Sequence, residues 1–117
     1  MTDTGSDRDG GDGSSGGTSF DELLQIVADR HRRSVLYCLQ DANEDVASFD
    51  ELREHLLARD LDIDDSERAT IALHHRILPR LEDAGLVEYD ARSDTVRYRE
   101  DDLAERLLDR LADVEDR

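Results

Sequence analysis

The chain contains no lysine. All fifteen basic residues are arginine, set against 31 aspartates and glutamates, for a net charge of −16. A surface this acidic repels phosphate at long range and argues against nucleic acid as a partner in dilute salt. An excess of acids over lysine also fits proteins from cells that hold molar salt, where the Debye length is about 3 Å. Long-range repulsion then fades and close contacts decide binding. Cysteine is nearly absent too. Cys38 is the single thiol, which excludes an intramolecular disulfide and a cysteine-rich zinc or thiolate site. It sits in an apolar helical run and reads as a small core residue. Long apolar runs are missing: nothing approaches the roughly 18 residues of a membrane helix. The chain is therefore expected to be soluble and cytoplasmic, with no membrane partner.

Glycine is scarce outside one segment. Six of the seven glycines lie in residues 1–18, mixed with Asp and Ser. Such a segment buries too little surface to offset its ordering entropy and is expected to be a disordered tail. It lacks the basic start and apolar run of a signal peptide. Residues 19–117 then form one domain with one modest core. Catalytic motifs are absent as well: no G-x-S-x-G, no phosphate-binding glycine loop, no H-E-x-x-H. Acid pairs occur throughout, but in a chain this acidic they carry no catalytic signal. No enzyme activity and no cofactor are expected.

What is present is a set of helix starts. Ser19-Phe-Asp-Glu-Leu23 and Ser48-Phe-Asp-Glu-Leu52 are the same five residues, each a capping box. The first opens a helix to about Ala28, with Phe20, Leu23, Leu24 and Val27 on one face. A second helix runs from near Asp29 to Gln40, with Val35, Cys38 and Leu39 inward. Arg30, His31, Arg32 and Arg33 crowd its start, where cations oppose the helix dipole. They could be surface arginines paired with acids, or phosphate contacts. Val46-Ala47 suits a very short strand. A third helix, Phe49 to Ala58, turns Phe49, Leu52, Leu56 and Leu57 inward. Arg59 to Asp65 is acidic and irregular.

The stretch from Ser66 to Arg99 differs from the rest. Between Glu67 and Arg99 six acids meet six arginines, so the local charge cancels in a strongly negative chain. Ser66 is the expected cap of a helix reaching Ala84. At about 100° per residue, Ile71, His74, Leu78 and Leu81 form its packing face, widened by Ile77 and Ala84. Its far side carries Arg68, Ala72, His75, Arg76 and Pro79, with Arg80 on the flank and no acid between Arg68 and Arg80. Pro79, inside the helix, predicts a kink near His75–Pro79, and Gly85 ends it. Residues 86–90 and 95–99 alternate as strands around a tip at 91–94. Arg97 and Arg99 share the wet side of that hairpin. Finally, Asp102 is expected to cap a helix over 102–114, with Leu103, Leu107, Leu111 and Val114 in one stripe and Ala104 and Leu108 widening it. The stripe could be all core, or partly the seam of a homodimer made by Leu103, Leu107, Leu108, Leu111 and Val114.

The fold class expected is mainly α with a small β-hairpin: a winged helix-turn-helix with an added C-terminal helix. In that architecture the helix over 66–84 enters the major groove of double-stranded DNA. Arg68, His75, Arg76 and Arg80 are its candidate DNA-binding residues. Arg92, Arg97 and Arg99 on the wing are the others. Scattered, these arginines would read as a solvated surface. His74 and His75 point about 100° apart, which disfavours chelation of one metal ion. His74 reads as a core histidine and His75 as a donor facing DNA.

The block His75-Arg-Ile-Leu78-Pro79-Arg-Leu81-Glu-Asp-Ala84-Gly85-Leu-Val87-Glu-Tyr89-Asp90 follows H-x-x-L-P-x-L-x-x-A-G-x-V-x-Y-D. Arg32-Arg33-Ser-Val-Leu36-Tyr-Cys-Leu39 follows R-R-x-x-L-x-x-L. In these blocks and in the capped helix from Ser48 to Arg59, the chain resembles winged helix-turn-helix domains of unassigned function abundant in halophilic archaea. Around Leu81–Val87 it is also similar to ArsR-type repressors. The resemblance spans about Phe20 to Arg99. It implies a DNA-binding transcription regulator, usually dimeric. The metal-sensing ArsR branch uses paired cysteines; this chain, with Cys38 alone, departs from it. The competing reading is an acidic winged-helix module that binds protein and not DNA.

Overall fold

Side-chain acceptors set where the helices begin. The computed structural model describes residues 19–59 and 62–115, so the expected tail at 1–18 lies outside the described residues. The elements are α1 (Phe20–Val27), α2 (Arg30–Asp41), a 3-10 turn (Asn43–Asp45), β1 (Val46–Ser48) and α3 (Phe49–Arg59). There follow α4 (Ser66–Ala72), a π-helical turn (Leu73–Ile77), α5 (Leu78–Asp83), β2 (Val87–Asp90), β3 (Thr95–Tyr98) and α6 (Asp102–Val114). Both capping boxes form. Ser19 accepts from the Glu22 amide at 3.2 Å, and Glu22 accepts from the Ser19 amide at 3.4 Å. Ser48 and Glu51 do the same at 3.0 and 2.8 Å. Asp29 caps α2 by accepting from His31 and Arg32 amides at 2.7 and 3.2 Å. Burial pushes the Asp29 carboxyl up, but these amides outweigh it and hold it below the usual aspartate value. Two caps fall one residue earlier than the sequence suggests. Asp65, not Ser66, takes the Arg68 amide at 2.9 Å, and Asp101, not Asp102, takes the Ala104 amide at 2.9 Å. From extended backbone, each carboxylate reaches the third amide of its helix.

The three strands form one antiparallel sheet in the order β1-β3-β2. Val87 pairs with Tyr98, Tyr89 with Val96, and Ala47 with Val96 from the other side. Ala47, Val87, Val96 and Tyr98 are buried on the inner face, while Glu88 and Arg97 face solvent. The molecule is thus mainly helical with a small antiparallel sheet, and β1 makes the hairpin three-stranded.

The rod from α4 to α5 departs from the expected register. Ala69, Ala72, Leu73, Ile77, Leu78, Leu81 and Ala84 are buried. Ile71 is 52% exposed and His74 is exposed, against the packing face expected for both. The cause is the π turn, in which the Leu78 amide donates to the Leu73 carbonyl, five residues back. One additional residue in that turn slides the N-terminal face by one position. A wheel anchored on Leu78 and Leu81 reaches His74, whereas the chain buries Leu73. The irregularity lies just before Pro79, which has no N–H to give and crowds the preceding turn. Gly85, at φ +76°, ends the rod. Its amide donates to the Glu82 carbonyl at 2.9 Å and the Leu86 amide to the Leu81 carbonyl at 3.0 Å, a Schellman motif.

Three other faces rotate. In α1, Leu23, Ile26 and Val27 are buried while Phe20 and Leu24 stand 50% and 40% exposed. In α2, Leu36 and Tyr37 join the core and Cys38 is only half-buried against it. In α6, the pair expected to widen the stripe is its core: Ala104 and Leu108 are fully buried. Leu108 is therefore not available to a second copy. Leu103, Leu107 and Leu111 are half-buried beside it and Val114 is 82% exposed. α6 is held at its far end by Glu115, which accepts from Arg33 at 3.1 and 2.8 Å and from the Tyr37 hydroxyl at 3.0 Å.

Candidate nucleic-acid interface

The arginines at the start of α2 belong to the scaffold. Arg32 donates to the Ile26 and Gln25 carbonyls at 2.9 and 3.0 Å, and Arg33 to the Val27 carbonyl at 2.5 Å. Cations that oppose the dipole of their own helix thus satisfy the last carbonyls of the preceding one. The carboxylate of Glu115 pushes the Arg33 guanidinium above its usual value. Arg30 pairs with Asp62 at 2.7 Å.

From α4 through the π turn into α5, Arg68, Ile71, His74, His75, Arg76 and Pro79 are all exposed, with no acid between Arg68 and Arg80. Arg80 is half-buried. Acids do stand at the margins of this stripe. Arg68 Nε lies 3.7 Å from its capping Asp65. Arg76 Nη2 is 3.5 Å from His31 Nδ1, and His31 Nε2 is 3.9 Å from Asp62. A guanidinium only donates, so the Arg76 contact assigns the accepting role to Nδ1. Arg76 therefore leans toward α2 and its acidic neighbour.

His74 is not a core histidine. Its ring stacks on buried Phe49 with centroids 4.3 Å apart, and Tyr89 of β2 meets it edge-on at 6.1 Å. This cluster ties the helical rod, the start of α3 and the hairpin together. Three further bonds fix the hairpin. Glu82 accepts from the Tyr89 amide at 3.2 Å, Asp94 accepts from the Tyr89 hydroxyl at 2.7 Å, and the Phe49 amide donates to the Asp94 carbonyl at 2.9 Å. The Asp94 carboxylate pushes the Tyr89 hydroxyl above its ordinary value.

The hairpin's outer side is less basic than the sequence suggests. Glu88 stands directly across from Arg97 and forms an ion pair with Arg99. Strand alternation alone places Glu88 on that side, but counting only its arginines misses it. Arg92 is exposed at the tip, its amide donating to Asp90 at 2.9 Å. Arg92 and Arg97 line a cleft of about 650 Å³ together with Glu82, Glu88 and Asp90. Three carboxylates against two guanidiniums leave that cleft with a net negative lining. The arrangement offers one acid-free helical stripe, a fixed hairpin beside it, and arginines that mostly have a carboxylate within reach.

Among the described residues no group of three His, Cys, Asp or Glu is placed to ligate a metal ion. No helix among them is long and apolar enough to cross a membrane. The chain matches no curated protein and no solved structure. A family match covers residues 24–97, from the middle of α1 to β3, leaving α6 outside it. Over that span the chain belongs to the family described as a domain of unknown function (DUF7344).

Proposed function

We propose that the chain is a winged helix-turn-helix DNA-binding transcription regulator, working as a homodimer in the molar-salt cytoplasm of a halophilic archaeon. One observation carries this reading: the exposed, acid-free stripe Arg68–Ile71–His75–Arg76 on the helix that precedes a packed β-hairpin. In the reading, α4 and the π turn lie in the major groove with His75 and Arg76 at base edges. Arg68, Arg80, Arg92, Arg97 and Arg99 meet phosphates. Half-buried Leu103, Leu107 and Leu111 with exposed Val114 supply the seam between copies. Screening in molar salt removes the long-range penalty of the net charge.

Selection from a random duplex pool in molar KCl, followed by footprinting, tests the reading. Arg76→Ala with Arg80→Ala should abolish protection; retained binding, or no protected sequence at all, would refute it. Light scattering in the same salt should give twice the chain mass.

A second reading has its own support. Asp62 and Asp65 border the stripe through His31 and Arg68, and Glu88 sits among the wing arginines. That placement favours a protein-binding module. Recovery of one stoichiometric protein partner and no DNA would select it.

A further inference from the structure

Four large apolar side chains stand exposed among the described residues: Phe20, Leu24, Ile71 and Val114. Three lie on α1 and α6. Ile71 lies on α4, at the centre of the acid-free stripe. Arg68 is three residues before it and His75 four after, so the three stack along one helical face. His74 is tied down by its stacking on Phe49, and Ile71 projects beside His75 and Arg76, the only large apolar side chain among them. Isoleucine is an expensive choice for an exposed helix position if solvation were its only role. It is β-branched and loses rotamer freedom there. That same stiffness presents a methyl surface that needs little further ordering on contact.

Along a base edge in the major groove, the apolar group is the thymine C5-methyl. Resting on the DNA-binding reading above, we infer that Ile71 packs on a thymine methyl and sets part of the sequence preference. Three to four residues span about 4.5–6 Å of helix axis, against about 3.4 Å per base-pair step. The thymine therefore lies within about two base pairs of the base met by His75. The target is a site with a preferred 5-methylpyrimidine in each half, not an arbitrary duplex.

The test uses the full chain and the duplex selected in molar KCl. Each thymine is replaced in turn by uracil, which removes only the methyl. At one position per half-site, wild type should bind about four-fold more weakly, the worth of one methyl removed from water. Cytosine placed there should regain affinity on 5-methylation. Ile71→Ala should show neither effect, and Ile71→Val should keep both. Ile71 lies outside the core, so an unchanged melting temperature certifies the variants. If the duplex is bound but no uracil matters, or if Ile71→Ala keeps the uracil penalty, the inference fails while the DNA reading stands. If no duplex is retained at all, both fall together.

Discussion

Replacing Glu115 by Ala should loosen the last helix by a calculable amount. Glu115 receives two hydrogen bonds from Arg33 in parallel, at 3.1 and 2.8 Å, and one from Tyr37 at 3.0 Å. The Arg33 side chain is only 13% exposed and Glu115 35%. Hydrogen bonds to charged groups contribute about 1.5–3 kcal/mol each when shielded; solvent at Glu115 reduces this. Tyr37 can turn its single hydroxyl proton to the Leu108 carbonyl at 3.3 Å, and Arg33 keeps the Val27 carbonyl through Nη1 at 2.5 Å, while its Nε and Nη2 hydrogens lose their partner. A loss of about 2 kcal/mol follows, equivalent to about 10 °C in Tm for a domain near 100 residues. Urea titrations in molar KCl would measure it, with Arg33→Met and the double variant completing a cycle. The coupling should reach about 1 kcal/mol. Strict additivity, or a Glu115→Ala loss below about 0.3 kcal/mol, would mean that Leu108 packing alone docks α6.

Leu108→Ala should cost about 2–5 kcal/mol in unfolding, as for other fully buried leucines. Val114→Ser should cost under about 0.5 kcal/mol and instead weaken any dimer, read by light scattering. At Gly85 a Cβ would meet nothing within 4 Å, so Gly85→Ala should cost about 1 kcal/mol through the positive φ alone; Gly85→Asn should cost less in the same melt. Burial, with Glu100, Asp109 and Asp102 nearby, raises the Glu105 carboxyl above its ordinary value. The folded state then binds more protons than the unfolded one in that window, so stability falls as pH rises through it. Glu105→Gln should match or exceed wild type at pH 7, with the difference closing in more acid solution, as urea midpoints across pH would reveal.

How far the fold was legible follows from which rule each element obeys. The capping boxes at Ser19 and Ser48, the hairpin alternation and the Gly85 stop are local, and local chemistry gave them their places. The inward face of the rod was not local. A constant 100° step assumes a uniform helix, and the π turn before Pro79 breaks it. The run Ala69, Leu73, Ile77, Leu81, four residues apart throughout, was the available sign of the true face. Arg32 and Arg33 were ambiguous for a different reason. Their partners are the last carbonyls of α1 and a carboxylate 82 residues away, which no periodicity encodes. Of the candidate interface, the acid-free stripe was visible in sequence. Its acidic margins at Asp62 and Glu88 depended on tertiary placement or on looking past the arginines.

Those margins decide how any phosphate would be met. The Arg99–Glu88 pair is just over half exposed on both sides, and such pairs contribute little to stability. Glu88 therefore does not hold the hairpin together; it neutralises one arginine of the wing. Under the DNA-binding reading, a phosphate must replace that carboxylate, so the charge gained on binding is one less than the arginine count suggests. Glu88→Gln should leave the melting temperature unchanged, raise DNA affinity, and steepen the slope of log K against log salt by about 0.9, the release expected from one more phosphate contact. Fluorescence anisotropy over a KCl series would measure both quantities. A steeper slope identifies Glu88 as a built-in competitor for the wing arginines. An unchanged slope with unchanged affinity would place the wing off the DNA and confine contact to the helical stripe around Ile71.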